Sequence, residues 1–326
     1  MSLKIEKKAI AALVAALCAG VGATQNASAA ALAQSVFDVT AFSILKSDGS
    51  AFNPATDFDR IVASNSGIAA ANLSGFPSIS SGPLVSPFAI DVPAQCLGAC
   101  PFANNDFSHH IAPPVLSQYS RGDALLSGNA LTPGGANAST LGEVSLTSKG
   151  VGASSATLGV SAEFSFSLTS DQKVRFAFNA LPYLFTFLDA NTADPRIAQA
   201  SLSWNIEIDL LGPGGSRTQV FDWSPNGLAG GIVGGTELSD PCTLNTTRAV
   251  LSPGTSQYNP GACNGYLAET DLLLASNTYS LTLHHDSFAN ATFTAPTKMP
   301  EPGTILIMGA GLLGLGLVQR RRSGKK

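Results

Sequence analysis

The stretch Leu202-Ser203-Trp204-Asn205-Ile206-Glu207-Ile208-Asp209-Leu210 alternates apolar and polar residues through nine positions. Successive side chains on a β-strand point to opposite faces. The pattern therefore puts Leu202, Trp204, Ile206, Ile208 and Leu210 on one buried face, and Ser203, Asn205, Glu207 and Asp209 on a wet one. The same period of two recurs at Phe164, Phe166 and Leu168, at Val174, Phe176 and Phe178, and at Tyr279, Leu281 and Leu283. These runs are separated by Gly/Pro/Asn turns, and no apolar period of 3.6 residues lies between them. They predict an all-β fold, an antiparallel, jelly-roll-like β-sandwich with large aromatics on its inner face.

The clearest strands occupy residues 143–294. Residues 30–142 read as loop-rich, with a first strand at Val36–Leu45 and a short helix over Ile61–Ala71. Turn signals there are Asp48-Gly49, Asn53-Pro54, Ser81-Gly82-Pro83 and Pro113-Pro114. Loops and edge strands, without a core of their own, are the expectation for this half. Leu211–Gly235, which holds Gly212-Pro213-Gly214-Gly215 and two further Gly-Gly pairs, reads as a flexible surface excursion. Residues 295–299 link the body to the C-terminal tail.

The N-terminus carries Lys4, Lys7 and Lys8, then an apolar run from Ala9 to Gly22, then Ala27-Ser28-Ala29. This is the order of a secretory signal peptide over 1–29, with cleavage after Ala29. Cys18 follows Ala-Ala-Leu, and leucine stands where a lipobox needs a small residue, so lipidation is not expected. The whole chain has 18 basic and 22 acidic residues. Without 1–29 and 299–326, the body 30–298 keeps 10 basic against 20 acidic, a net charge near −10. That balance argues against nucleic acid and anionic membrane surfaces as partners. Four cysteines remain in the body: Cys96, Cys100, Cys242 and Cys263. An even number in an exported chain reads as disulfides. The pairing Cys96–Cys100 and Cys242–Cys263 is favoured because each pair brackets a Pro/Gly/Asn-rich loop. Closing the second loop is worth about 3 kcal/mol in the chain-entropy account. A C-x₃-C metal or redox pair is the rival, though common zinc and redox motifs space their cysteines by two residues.

The last residues run Pro300-Glu301-Pro302-Gly303, then fifteen uncharged and mostly apolar residues over 304–318, then Gln319 and Arg320-Arg321-Arg322. The two prolines hold the backbone around Glu301 extended, a form a processing enzyme can grip. Fifteen helical residues span about 22 Å, a short membrane crossing that snorkelling arginines can extend. The basic end would stay cytoplasmic and the body on the outer side. Gly309-Ala310-Gly311-Leu312-Leu313-Gly314 fits G-x-G-x-x-G, but no following βαβ unit or acid accompanies it, and small residues for close helix packing account for it better. This tripartite tail, over 299–326, resembles the PEP-CTERM sorting signal of exported proteins in Gram-negative bacteria that make exopolysaccharide. The resemblance implies inner-membrane anchoring, processing near Pro300-Glu301-Pro302 by a membrane-embedded exosortase-type enzyme, and release or attachment at the cell surface. An ordinary C-terminal anchor is the alternative. The resemblance further implies a structural or carbohydrate-binding role among extracellular polysaccharides.

Within the body, His109-His110 and His284-His285 invite a metal reading, with Asp106 and Asp286 nearby. Neighbours on a strand face opposite ways, so exposed loop or strand-end histidines are the plainer expectation, and no metal site is assigned. Asp57 with Asp59, and Glu207 with Asp209, are carboxylates two apart, a spacing that suits calcium or a glycosidase pair. The wet side of a half-buried strand explains Glu207 and Asp209 more simply. Arg121-Gly122-Asp123 matches an adhesion tripeptide and is expected to be a turn. The sequons at Asn72, Asn137, Asn245 and Asn290 carry no weight in a bacterial chain. No G-x-S-x-G, H-E-x-x-H or P-loop occurs. The expectation is a non-catalytic protein without a required cofactor, with calcium as the one candidate ion. The runner-up is a secreted glycan hydrolase using Glu207 or Asp209.

Overall fold

In the computed structural model, the described residues are 30–62, 65–82, 90–100, 103–109, 117–158, 164–189 and 193–294. The signal peptide 1–29, Pro83, His110, Pro113-Pro114, the linker 295–299 and the sorting tail with its run 304–318 lie outside them. Among the described residues, eighteen strands follow in order: β1 (Ala31–Lys46), β2 (Phe58–Val62), β3 (Gly67–Leu73), β4 (Phe76–Gly82), β5 (Ile90–Gly98) and β6 (Tyr119–Gly128). Then come β7 (Ala136–Leu146), β8 (Gly150–Leu158), β9 (Phe164–Leu168), β10 (Val174–Leu188), β11 (Ala193–Leu211) and β12 (Arg217–Trp223). The last six are β13 (Ile232–Val233), β14 (Gly235–Ser239), β15 (Thr246–Val250), β16 (Gly254–Tyr258), β17 (Cys263–Thr270) and β18 (Thr278–Thr294). One 3-10 turn at Pro213–Gly215 joins β11 to β12. Among the described residues no helix is long and apolar enough to cross a membrane.

The strands form two antiparallel sheets. Sheet A has the order β14-β17-β10-β1-β7-β6-β5, with β16 also beside β10. Sheet B has the order β13-β12-β11-β18-β8-β3-β4, with β15 beside β11, and β9 beside both β18 and β2. The sheets face each other, β1 and β7 against β11, β18 and β8. The alternating stretch of β11 behaves as its pattern requires: Leu202, Trp204, Ile206 and Ile208 are buried. Trp204 sits in a ring cluster with Phe37, Phe42, Phe178 and His285, at centroid distances of 5.0 to 6.1 Å. Truncating such a side chain typically costs about 3–5 kcal/mol.

The interior narrows at one row. Ser35 of β1 stands opposite Gly142 of β7, and Gly142 opposite Gly122 of β6. All three face sheet B. A Cβ on Gly122 would lie 2.5 Å from the Ala70 carbonyl oxygen and 2.6 Å from that of Ser155. The sheets touch backbone to backbone there, so no larger side chain fits. Beside this row small polar side chains bond across the gap. Ser35 Oγ donates to Ser201 O at 2.8 Å, Ser120 Oγ to Ala153 O at 2.8 Å, and the Thr140 and Ser287 hydroxyls meet at 2.8 Å. A large aromatic cluster fills one side of this waist. A smaller cluster of Ala31, Ala33, Val144, Leu146, Leu188, Ala198, Ala289, Ala291 and Phe293 fills the other.

Three expectations are corrected. Residues 30–142 hold more than loops and edge strands, since β1 is a central strand of sheet A between β10 and β7, and β7 lies between β1 and β6. The first strand starts at Ala31, and Ala31–Phe37 is buried on both faces, which erases any alternation. Among the described residues of Ile61–Ala71 no helix forms: β2 ends at Val62 and β3 starts at Gly67. Its alanines favour a helix in isolation, but Ala69 and Ala71 fit beneath the opposing sheet, and tertiary packing overrides propensity. The Leu211–Gly235 excursion contains β12, whose Phe221 and Trp223 are fully buried.

Gly122→Ala is expected to lower stability by roughly 2–3 kcal/mol, because two backbone oxygens must move aside. Gly134→Ala, where an added Cβ meets nothing within 4 Å, bears only a backbone cost at positive φ. Urea unfolding of both variants checks the difference, and equal losses would refute the close approach.

Candidate functional site

The outer faces of the two sheets differ. That of sheet A is covered by its own chain over β1, β6, β7 and part of β10. Gln34, Glu143 and Arg121 lie in one register row across β1, β7 and β6, and all three are buried. The Arg121 guanidinium meets the Asp123 carboxylate at 3.2 Å and donates to the carbonyls of Ala103 and Asp106. Asp123 also accepts the Asn105 N–H at 2.8 Å, and Gln34 donates to Ser108 O at 3.0 Å. His109 stacks on Tyr183 at 4.3 Å, and Phe107 packs over Leu32, Val36, Leu141, Tyr183 and Phe185. Residues 103–109 thus lie on the sheet as a cover. The Arg121-Gly122-Asp123 tripeptide is not a turn, contrary to expectation. It lies within β6, with Arg121 and Asp123 under the cover and Gly122 at the waist.

The outer face of sheet B carries the acids. Glu207 is half-exposed there, while Asp209 is nearly buried, with Arg217 at 3.8 Å. Burial first, then the carboxylates of Asp209 and Asp222, push Glu207 above its ordinary range. Asp209 is thus a near neighbour that shifts Glu207, and it is itself engaged by Arg217. Asp57 is tied to Lys46 at 2.8 Å, and that bond holds its carboxyl below the usual range. Asp59 lies apart from it, exposed on β2. Among the described residues no three His, Cys, Asp or Glu side chains converge as a metal ion would need.

The histidines are not all at the surface. His284 is half-exposed and faces outward, but His285 is fully buried in the middle of β18 and faces the core. Its Nε2–H donates to Phe37 O at 2.9 Å, and Phe37 and Trp204 pack against the ring. Desolvation pushes it down to about 3, so it is neutral at physiological pH.

One feature of sheet B gave no sequence signal. Along one side of β11, β15 pairs with Ala198–Leu202 and β12 with Ile206–Leu211. Ser203, Trp204 and Asn205 fall in the gap. There the Asn245 side-chain amide stands in for a strand. Its Oδ1 accepts the Trp204 N–H at 3.1 Å and its Nδ2 donates to Trp204 O at 3.0 Å and Pro225 O at 3.1 Å. The segment that presents Asn245 is anchored three ways. Cys242 pairs with Cys263, the Tyr266 hydroxyl donates to Cys242 O, and the Tyr258 hydroxyl donates to Thr243 O, both at 2.9 Å. The other pair, Cys96 with Cys100, closes the end of β5. The Cα separations of the two pairs, 6.0 and 6.3 Å, lie within disulfide range. Next to this gap an open groove of about 560 Å³ is lined by Ser201, Ser203, Thr246, Thr247, Asp286 and Phe288 beside Leu202 and Asn245. Ser203 Oγ donates to Asp286 Oδ2 at 3.0 Å across its floor.

Residues 300–322 match the family described as the PEP-CTERM protein-sorting motif. The match takes in Pro300-Glu301-Pro302, Gly303, the apolar run and Arg320-Arg321-Arg322. No curated protein and no solved structure matches the chain. The motif implies an exported protein with membrane-associated processing.

Two outcomes follow from this geometry. The unfolded state takes up the His285 proton near pH 6.5 and the native state only near pH 3. Stability contributed by the neutral ring is therefore complete above pH 6.5 and declines as pH falls toward 3, by about 1.4 kcal/mol per unit. His285→Phe should be less stable at pH 7 and lose that slope, read by urea unfolding at pH 7, 6 and 5. Asn245→Ala should cost roughly 1–2 kcal/mol by leaving the Trp204 peptide groups unpaired, with thermal unfolding as the check.

Proposed function

We propose that this chain is an exported surface or matrix protein of a Gram-negative bacterium. The signal peptide 1–29 carries it to the inner membrane, and the helix 304–318 holds it there transiently. An exosortase-type enzyme then processes it near Pro300-Glu301-Pro302. The body has a structural or carbohydrate-binding role in an exopolysaccharide or biofilm matrix. The sorting motif at 300–322 is the observation that carries this reading. Two disulfide-bonded pairs support an oxidising compartment, and a body near −10 suits a soluble exported domain.

The second reading, a secreted glycan hydrolase, has the raised protonation of Glu207 in its favour. We place it second because Asp209, the partner carboxylate it needs, is nearly buried and lies 3.8 Å from Arg217. Steady turnover of any glycan, abolished by Glu207→Gln, would reverse the order.

Intact mass of the protein recovered from medium, cell surface and inner membrane tests the first reading. The native chain should end near residue 300. A chain carrying Pro300→Ala, Glu301→Ala and Pro302→Ala should keep Lys326 and stay in the membrane. If both keep Lys326 there, the tail is a plain anchor.

A further inference from the structure

We propose that the groove beside Asn245 is the binding site for a neutral glycan chain, an inference that rests on the matrix-binding reading above and gives it a location. The groove lies across β18, β11 and β15 and ends beside the unpaired Ser203–Asn205 segment, and its floor is the outer face of β11 and β18. Three properties select the ligand. First, the lining offers hydroxyls from Ser201, Ser203 and Thr247 on the outer face. Hydroxyls act as both donors and acceptors, matching the paired capacity of sugar hydroxyls. Second, Phe288 contributes a half-buried aromatic ring at the outward-facing position next to Asp286. A flat apolar ring complements the C–H face of a pyranose, the common arrangement of one apolar surface ringed by a few placed polar groups.

Third, the charge is wrong for a uronate. The groove's one charged side chain is Asp286, and Glu207 and Asp222 carry further negative charge on the same sheet face. An anionic polysaccharide would meet like charge in a partly desolvated site, whereas a neutral one can donate its hydroxyls to the carboxylate.

A peptide adding as a new strand is disfavoured by the same geometry. Strand addition draws its affinity from unpaired backbone groups, and the Trp204 N–H and C=O are already taken by Asn245. What the gap leaves open is a polar trough of side chains rather than a ladder edge. Its wall is rigid, because the Cys242–Cys263 bridge and the two tyrosine hydroxyls fix residues 242–245 before any ligand arrives. Preorganisation of this kind lowers the entropic cost of binding.

The test titrates the processed chain, by calorimetry, with gluco-, manno-, galacto- and xylo-hexaoses and with a hexagalacturonate. At least one neutral hexaose should bind in the micromolar to millimolar range, and the hexagalacturonate at least tenfold more weakly. Phe288→Ala should weaken the neutral ligand at least tenfold at unchanged melting temperature. The change Thr247→Val, which keeps side-chain shape and removes one outward hydroxyl, should weaken it several-fold and guards against a folding defect in the first variant. No binding of any neutral hexaose, preference for the hexagalacturonate, or affinity indifferent to both variants would overturn the proposal. A chain correctly processed at its tail that fails these titrations would leave the export reading standing and remove only this site.

Discussion

The fold depends on the contact of two backbones at the waist, where Ser35, Gly142 and Gly122 form one row across three neighbouring strands. Packed sheets ordinarily stand about 10 Å apart, with side chains filling the space. At this row they touch, and the space is removed instead of filled. Two consequences follow. Backbone and hydroxyl groups of opposing sheets come within hydrogen-bond reach, so Ser35, Ser120, Thr140 and Ser287 are buried yet satisfied. The core also divides into a large aromatic cluster and a smaller alanine-rich one. Specific pairing across a narrow gap fixes how the sheets slide, because a one-residue slip would drive Val144 or a ring into a backbone.

That constraint explains which parts of the fold were legible in the sequence. Strands β10, β11 and β18 bury one face against large side chains and expose the other, so their alternation was plain and the all-β antiparallel reading followed from it. Strands β1, β6 and β7 bury both faces. Their inner faces carry glycine, alanine and serine because the waist admits nothing larger, and their outer faces are apolar or hold a buried ion pair under residues 103–109. Such strands have no period of two in hydropathy. Residues 30–142 looked irregular for the same reason that they are central. The alanines of β3 deceived in a related way, since small size suits a close-packed sheet as well as a helix.

The candidate site was legible only where chemistry is local. Pro300-Glu301-Pro302, the apolar run and the arginines act in sequence order and could be read in that order. The cysteine pairs were legible because each flanks a turn-rich loop. Asn245 was not. It sits 41 residues from Trp204, and its value as a stand-in for a strand arises only once β12 and β15 have both paired with β11. The burial of His285 was hidden similarly: the register of β18 decides which of two adjacent histidines faces inward, and composition carries no such information.

The asymmetry between the sheets then bears on where this body can engage anything. Sheet A has its inner face against sheet B, and its outer face over β1, β6, β7 and part of β10 lies under residues 103–109, held down by buried partners such as Arg121 and Asp123. The cost of burying that ion pair is offset by the carbonyls that accept from Arg121 and the Asn105 N–H that donates to Asp123, and lifting the cover would strand a charge. The outer face of sheet B has no such cover among the described residues, and its groups are hydroxyls, amides and carboxylates in contact with water. The chain ends agree with this division. Ala31 and Phe293 share the smaller apolar cluster, so the start of the body and the strand leading to the tail meet at one end of the sandwich. The groove lies along β11 and β18, on the outer face of sheet B.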